Sequence, residues 1–486
     1  MRSNIISREN EIKELLEIYN TKSSEFVVVY GRRRVGKTFL VRELFENRFT
    51  FYHTAVSPIE FDGENLTKVQ IKSFCTSMIT AGANFYNEPK DWFEVFEIFK
   101  DWFGKLPKNK RKVIFIDELP WLDTNKSGFV SAFENLWNSF LDGKNVMLIV
   151  SGSAVAWIND NLINSYGGLY NRVTREIALQ QFTLKETEDY LKSKNITMGR
   201  TDILEIYMAI GGIPFYLSHI RKGLSVSQNI DNLFFNPNAR LQQEFKRLFR
   251  AQFKNYETVE KILKFLSGKR IGYTRKEISD ATGIAYNGLL TTFLKALEVS
   301  QFITSYVQFS QSKRDVYYKL TDFFVSFWLY FKEKKANNHD NYWLSFQKSS
   351  AINTWRGLSF EQVCFVHKAQ IKKSLGILGV SSETSTWISK KENNEPLENR
   401  AQIDMLITRA DNVVNICEMK YSNTEYSITK SYDKELRDKI DIFCKQTKTK
   451  LTPQLTLVTT YGLKQNEYSG LVQSVVTLDD LYRSGN

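Results

Sequence analysis

The strongest constraint in this 486-residue chain is one uninterrupted passage: the apolar run FVVVY enters GRRRVGKT at 31–38, which enters the helical FLVRELF. A strand that turns through glycines into a helix has the form of a phosphate-binding loop. The glycines let the backbone curl, so that its N–H groups and the helix N-terminus surround anionic oxygens. Gly31, Arg32, Arg33, Arg34, Val35, Gly36, Lys37, Thr38 and the adjoining Phe39 are therefore the expected ATP-binding residues. Lys37 is expected at the β and γ phosphates and Thr38 at a magnesium ion.

The surrounding sequence repeats the same grammar. To about residue 220, helical segments alternate with short β-rich runs at 26–30, 49–53, 113–116, 146–150 and 173–178, which predicts a parallel α/β sheet. The run VIFID ends in two carboxylates. Asp117 is expected on the magnesium ion and Glu118 on the attacking water. The run VMLIV ends at Ser151-Gly152-Ser153, where a hydroxyl is expected beside the γ-phosphate.

Taken in order, YGRRRVGKT, IFIDELPWL, LIVSGS, LYNRVTREIAL and GGIPFYL resemble the archaeal-type ATPases of the STAND class of P-loop NTPases, over about residues 5–220. The resemblance implies an AAA+-like domain with a helical lid. It also implies that Arg8, paired with Glu9, lies near the nucleotide base, and that Ser151, or Ser153, acts as a sensor. Arg172 is implied as the phosphate-sensing arginine, with Arg175 second, and Pro214 as part of the lid element that reads bound nucleotide.

Residues 221–255 are helical and basic and read as a connector. From 258 to about 334, three short helices at 259–266, 275–282 and 286–297 precede two strands near 302–309 and 316–320, the pattern of a winged helix-turn-helix. Tyr286, Asn287, Thr291, Thr292 and Lys295 are its candidate nucleic-acid contacts. The polar stretch KEKKANNHDN at 332–341 reads as a linker.

Beyond it, NRAQIDMLITRADNVVNICEMKYS holds two strands about a polar turn. Asp404 and Glu418 are equidistant from Asp411, so an antiparallel hairpin turning there sets them side by side. Lys420 lies on the same face. Two carboxylates and a lysine on otherwise apolar strands suit magnesium-assisted attack on a phosphodiester. The arrangement resembles the PD-(D/E)xK nuclease fold of restriction enzymes, with Ile403 where that signature has proline. The resemblance implies Glu361 as a further metal ligand on the first helix and Lys420 as catalytic.

The predicted architecture is thus α/β in three parts: a P-loop ATPase domain with its lid (1–220), a connector with a winged helix (221–335), and a restriction-endonuclease-like domain (342–486). ATP and Mg2+ are the expected cofactors. A net charge of +12 favours a polyanionic partner such as nucleic acid, although a solvated basic surface explains it equally well. Cys75, Cys364, Cys417 and Cys444 form no CxxC pair, which argues against a zinc site or disulfide framework. No run reaches the ~18 apolar residues of a membrane span. The N-terminus lacks a signal core, so the expected location is cytoplasmic. Self-association is left open. The leading expectation is an ATPase that controls a magnesium-dependent nuclease-like domain. The alternative is a nucleotide switch or DNA-binding regulator whose nuclease-like domain is inactive.

Overall fold

The computed structural model describes residues 4–58, 66–164, 167–253, 255–269, 271–309, 316–333, 340–389 and 401–484. The five expected β-rich runs all form strands: β1 (Glu25–Tyr30), β2 (Phe49–Thr54), β3 (Lys112–Asp117), β4 (Val146–Gly152) and β5 (Arg175–Ala178). They pair in parallel in the order β2-β3-β4-β1-β5. The middle of β1 and the whole of β4 are buried, which explains why these runs read as continuous rather than alternating apolar sequence.

Residues of the expected connector form the Val226–Ile230 and Glu244–Gln252 helices. The next module has helices Tyr256–Leu266, Arg275–Thr282 and Gly288–Val299. Its sheet comprises β6 (Tyr273–Thr274), β7 (Ile303–Val307) and β8 (Val316–Leu320), paired antiparallel in the order β6-β8-β7. Val259, Ile262, Leu263, Leu266, Ile278, Leu290, Leu294 and Leu297 make its buried interior, as their helical spacing requires.

The third sheet runs β13-β12-β11-β10-β9. Here β9 (Ser382–Ile388), β10 (Gln402–Arg409) and β11 (Val413–Lys420) are antiparallel, while β12 (Thr452–Thr459) and β13 (Ser474–Val476) continue parallel to β11. The Ser350–Val366 helix precedes this sheet and the Lys430–Thr447 helix joins β11 to β12.

The polar stretch at 332–341 does not separate two independently packed bodies. Residues 334–339 lie outside the described residues. On either side of them Phe331, Trp343 and Trp355 share one aromatic cluster with Phe327, with ring centroids 4.9–5.7 Å apart. One hydrophobic core extends from Leu15 in the first domain to Tyr482 at the other end of the chain. Composition marks what is solvated locally, whereas this boundary is closed by residues that flank the polar segment.

At the end of the Arg200–Ile210 helix the backbone turns through Gly211 and Gly212 against the strand-exit segment at Phe182. Phe182 N–H donates to the Gly212 carbonyl at 2.7 Å, and a Cβ on Gly212 would stand 1.9 Å from the Phe182 oxygen. Gly212→Ala is expected to destabilise the chain by roughly 3 kcal/mol, the upper range for overpacking. An unchanged denaturant midpoint would contradict this close approach.

Candidate functional site

The glycine loop leaves β1 at the carboxyl end of the parallel sheet. Gly31 adopts φ 145°, and a Cβ there would lie 2.3 Å from the Leu179 carbonyl, so only glycine lets the loop cross β5 at this point. Gly36 (φ 97°) starts the Lys37–Phe45 helix. The Lys37 ammonium is buried and folds back to donate to the carbonyls of Gly31 (3.1 Å) and Arg32 (3.2 Å). Burial pushes its pKa down, against the opposing pull of Glu118 and Asp117. A cation held this way gains from an arriving anion.

Ile116 lies beside Val150 in the β3–β4 register, so Asp117 and Ser151 emerge as neighbours. Thr38 Oγ1 donates to Asp117 Oδ2 at 2.8 Å, and Ser151 Oγ donates to the other carboxylate oxygen. Burial raises the Asp117 pKa, and the two hydroxyl hydrogen bonds partly offset it. The Thr38 hydroxyl and Asp117 carboxylate are adjacent hard oxygen donors and fit magnesium. Ser151 is buried behind this carboxylate and also accepts from the Glu118 N–H at 3.4 Å, so it braces the acidic pair. Glu118 itself sits in the left-handed region at φ 53°, ψ 45°. Its Oε2 accepts from the N–H (2.9 Å) and hydroxyl (3.0 Å) of Ser153.

A cavity of about 440 Å³ opens beside the loop, lined by Arg34, Lys37, Thr38, Phe39 and Glu118 and closed by Ile5, Ile6, Phe182, Pro214 and Phe215. Val35 and Gly36 also line it. Arg8, at φ 71°, borders the cavity too. Its guanidinium donates to the Gln180 carbonyl at 2.6 Å and stacks on Phe182 at 4.7 Å, which pins the N-terminal segment over the pocket. Phe39 is half exposed at the rim.

The loop arginines diverge. Arg32 is buried and turned away from the cavity, with its Nε 2.7 Å from Asp322, where β8 leads into the Phe323–Phe327 helix. Its side chain is therefore a brace for the loop. Arg34 binds Glu244 of the Glu244–Gln252 helix through both Nε (2.5 Å) and Nη2 (2.8 Å) and lies 3.7 Å over the Phe215 ring. Gln252, from the same helix, donates to the Ser153 carbonyl at 3.2 Å. The acidic partners stand some 210 and 290 positions from the loop, so no local pattern in the sequence announces them.

Two expectations are corrected. Arg172 and Arg175 lie at the amino end of the parallel sheet, opposite the loop: β5 runs parallel to β1 with Arg175 beside Val27, and Thr174 N–H bonds the Phe26 carbonyl. Arg172 pairs with Asp142 at 3.2 Å and Arg175 with Glu14 at 3.2 Å, so neither meets a γ-phosphate bound by its own chain. Lys295, expected to face nucleic acid, is instead ion-paired to Asp160 of the first domain at 3.2 Å.

In the C-terminal sheet, Met405 pairs with Cys417 and Leu406 with Ile416, and Asp404 and Glu418 stand one residue beyond the Met405–Cys417 pair. A register shift in the β9–β10 pairing falls between Ile403 and Leu406 and so brackets Asp404. Glu361 is buried on the Ser350–Val366 helix, which packs against β11. Glu418 is the best-defined member of the group. Its carboxylate receives Lys420 Nζ (3.0 Å), Lys439 Nζ (2.8 Å) and the Tyr432 hydroxyl (2.7 Å). Burial alone would raise its pKa, but the two ammonium groups overrule it and hold Glu418 at about 2. Among the described residues, no group of three or more His, Cys, Asp or Glu side chains is placed to hold a metal ion, so the expected set of Glu361, Asp404 and Glu418 does not close into one. Two ammonium groups hold the two oxygens of the Glu418 carboxylate. Lys439 and Tyr432 carry no sequence signal, because which face of the Lys430–Thr447 helix meets the sheet is decided by packing.

Residues 5–220 match the family model for an ATPase domain found predominantly in Archaea. An uncharacterized protein of Methanocaldococcus jannaschii is 28% identical over 326 residues, 66% of this chain and 67% of that protein. An uncharacterized ATP-binding protein of the same organism is 37% identical over 43 residues, 9% of this chain and 73% of that protein. Among solved structures, a Walker-type ATPase of Pyrococcus abyssi aligns with a TM-score of 0.43 at 20% identity, covering 68% of this chain and 97% of that one. The Aeropyrum pernix ORC2 protein aligns with a TM-score of 0.42 at 12% identity, covering 67% and 94%. Among the described residues, no helix is long and apolar enough to cross a membrane.

The depressed Glu418 pKa has a signed consequence for stability. A carboxyl held at about 2 against an ordinary 4.5 stabilises the fold above the ordinary value, and this contribution disappears as pH falls toward 2. The stability difference between the native chain and Glu418→Gln should shrink by on the order of 3 kcal/mol from about pH 5 to about pH 2. Urea unfolding of both across that range would check it, and a difference flat with pH would refute it.

Proposed function

On the premise that residues 5–220 are an ATPase domain of the kind found predominantly in Archaea, we propose that the chain is a STAND-type switch that binds ATP with magnesium and hydrolyses it. The observation that carries this reading is the Thr38–Asp117 hydroxyl–carboxylate contact beside the buried Lys37 ammonium, at the mouth of a cavity of nucleotide size. Lys37 exchanges its two loop carbonyls for the β and γ phosphates, and the loop N–H groups surround the phosphate oxygens. Thr38 and Asp117 hold magnesium, which neutralises phosphate charge. Glu118, once released from Ser153, orients the water that attacks the γ-phosphorus. ADP and inorganic phosphate leave.

The 256–320 module is read as a winged helix and the C-terminal domain as a PD-(D/E)xK nuclease-like fold. The latter is supported by its order of helix, three antiparallel strands, helix and parallel strand, with Asp404, Glu418 and Lys420 on one face. Its substrate class is nucleic acid. The route from nucleotide to this domain is the lid. Pro214 and Phe215 line the cavity, and on the helix that precedes them Glu205 accepts from Trp343 Nε1 and Arg356 Nη2, each at 2.8 Å. A second reading, favoured by Lys420 and Lys439 on Glu418, is a domain that binds nucleic acid or a regulatory partner without cutting it. DNA reading by the winged helix is disfavoured by the Lys295–Asp160 pair.

Lys37→Ala is expected to abolish tight ATP binding, and Glu118→Gln to preserve binding while stopping turnover. Calorimetry and phosphate release check the pair, and unchanged ATP affinity in Lys37→Ala would sink the nucleotide reading. On the nuclease-like reading, magnesium would have to displace an ammonium group from Glu418, and the cleavage it supports on a DNA and RNA panel is then expected to vanish in Asp404→Ala and Lys420→Ala with ATPase activity intact. It should also differ at least several-fold between ATP and ADP. A native chain that binds these nucleic acids but cuts none would decide for the second reading.

A further inference from the structure

Three consecutive arginines in one phosphate-binding loop carry three positive charges, and their fates differ. Arg32 is neutralised by Asp322, and Arg34 by Glu244. Arg33 has no such ion pair among the described residues. Its guanidinium lies 6.0 Å over the ring of Trp121, three positions after Glu118, so the side chain reaches from the loop toward the segment that carries the water-orienting carboxylate. Its Nη1 is shielded from solvent and, among the described residues, has no hydrogen-bond partner. A shielded guanidinium nitrogen left unpaired is costly, and an anion arriving beside it removes the penalty. Burial first, and the neighbouring Arg34 charge second, lower the Arg33 pKa, while the Glu118 and Glu244 carboxylates oppose them.

We propose that Arg33 is the arginine that meets the γ-phosphate, supplied by the loop of the same chain, in the role that Arg172 is too distant to fill. This rests on the hydrolysis reading and deepens it. As the bond from the water oxygen to the γ-phosphorus forms and the bond to the β,γ-bridging oxygen breaks, negative charge gathers on the oxygens between Lys37 and Glu118. Arg33 donates hydrogen bonds to that charge and transfers no proton. The commitment of Arg32 and Arg34 to carboxylates fixes the loop on both sides of Arg33, so the charge is preorganised.

The test uses the full chain with Arg33→Ala and Arg33→Lys, checked for native folding by thermal melting. Three quantities are read: the rate of phosphate release, ADP affinity, and trapping of ADP with aluminium fluoride, which mimics the transition state. In both variants kcat is expected to fall by about 100-fold or more, since a lysine cannot reproduce the planar fork of donors. ADP affinity is expected to change by less than about threefold, and trapping to be lost, because the contact exists only with the transferring phosphoryl group. Unchanged kcat overturns the proposal. So does an ADP affinity that falls in parallel with kcat, since Arg33 would then merely shape the loop. If the native chain does not turn over ATP, the hydrolysis reading fails by itself. The preference for ATP over ADP then decides: its loss in Arg33→Ala supports the assignment, and its persistence overturns it.

Discussion

From Ile203 onward the Arg200–Ile210 helix is buried on every side apart from the half-buried Glu205, and the surrounding elements are arranged to cover it. Ile203, Leu204, Ile206, Tyr207, Met208, Ala209 and Ile210 are all buried. The helix packs against Leu184–Ser193 from its own domain, Phe323–Phe327 from the module that follows, and Ser350–Val366 and Leu478–Leu481 from the C-terminal domain. Each buried aliphatic side chain contributes roughly 2 kcal/mol. A surface pair such as Arg200–Asp479, whose acid is well exposed, contributes less than about 1 kcal/mol. Burial therefore holds the three parts together, and the polar contacts set their register. His367 shows this second role: its Nε2 accepts from the Leu184 N–H at 3.0 Å, tying the start of the neighbouring Leu184–Ser193 helix to the end of the Ser350–Val366 helix.

The same helix ends at the glycine turn that leads to Pro214 and Phe215 on the wall of the nucleotide cavity. Arg34 stacks on that Phe215 while it is held by Glu244. One guanidinium thus touches both the segment after the glycine turn and the Glu244–Gln252 helix. Tyr216 reinforces the junction, its hydroxyl donating to Glu244 at 3.2 Å.

The parts legible in the sequence are those in which neighbours along the chain are neighbours in space. The β-rich runs, the glycine loop and Asp117-Glu118 are local patterns, and the placement of Asp404 and Glu418 just beyond the Met405–Cys417 pair follows from counting residues on either side of one turn. Arg172 is the opposite case. Its role comes from the resemblance alone, whereas a residue that enters β5 of a parallel sheet stands at the amino end, away from the loop that leaves the carboxyl end of β1. The ion pairs of Arg32 and Arg34 join positions separated by more than two hundred residues, and Lys439 reaches Glu418 only because a helix settles with one face on the sheet. The polar stretch at 332–341 misled for the same reason: hydrophilicity is a local property, and the aromatic cluster that closes over its flanks is not.

The end of β7 has a consequence of a different kind. Gln308 bridges to Thr386 of β9, the Phe309 N–H donates to the Thr386 carbonyl at 2.8 Å, and the Phe309 ring rests on Phe443 at 5.4 Å. β9 is the outer strand of its sheet, with N–H and C=O groups aimed away from β10. Open edges of this sort invite pairing between molecules and are a common start of aggregation. The extended segment from the middle module caps part of that edge, so the contact that joins two modules also keeps the C-terminal sheet from recruiting strands from other copies of the chain.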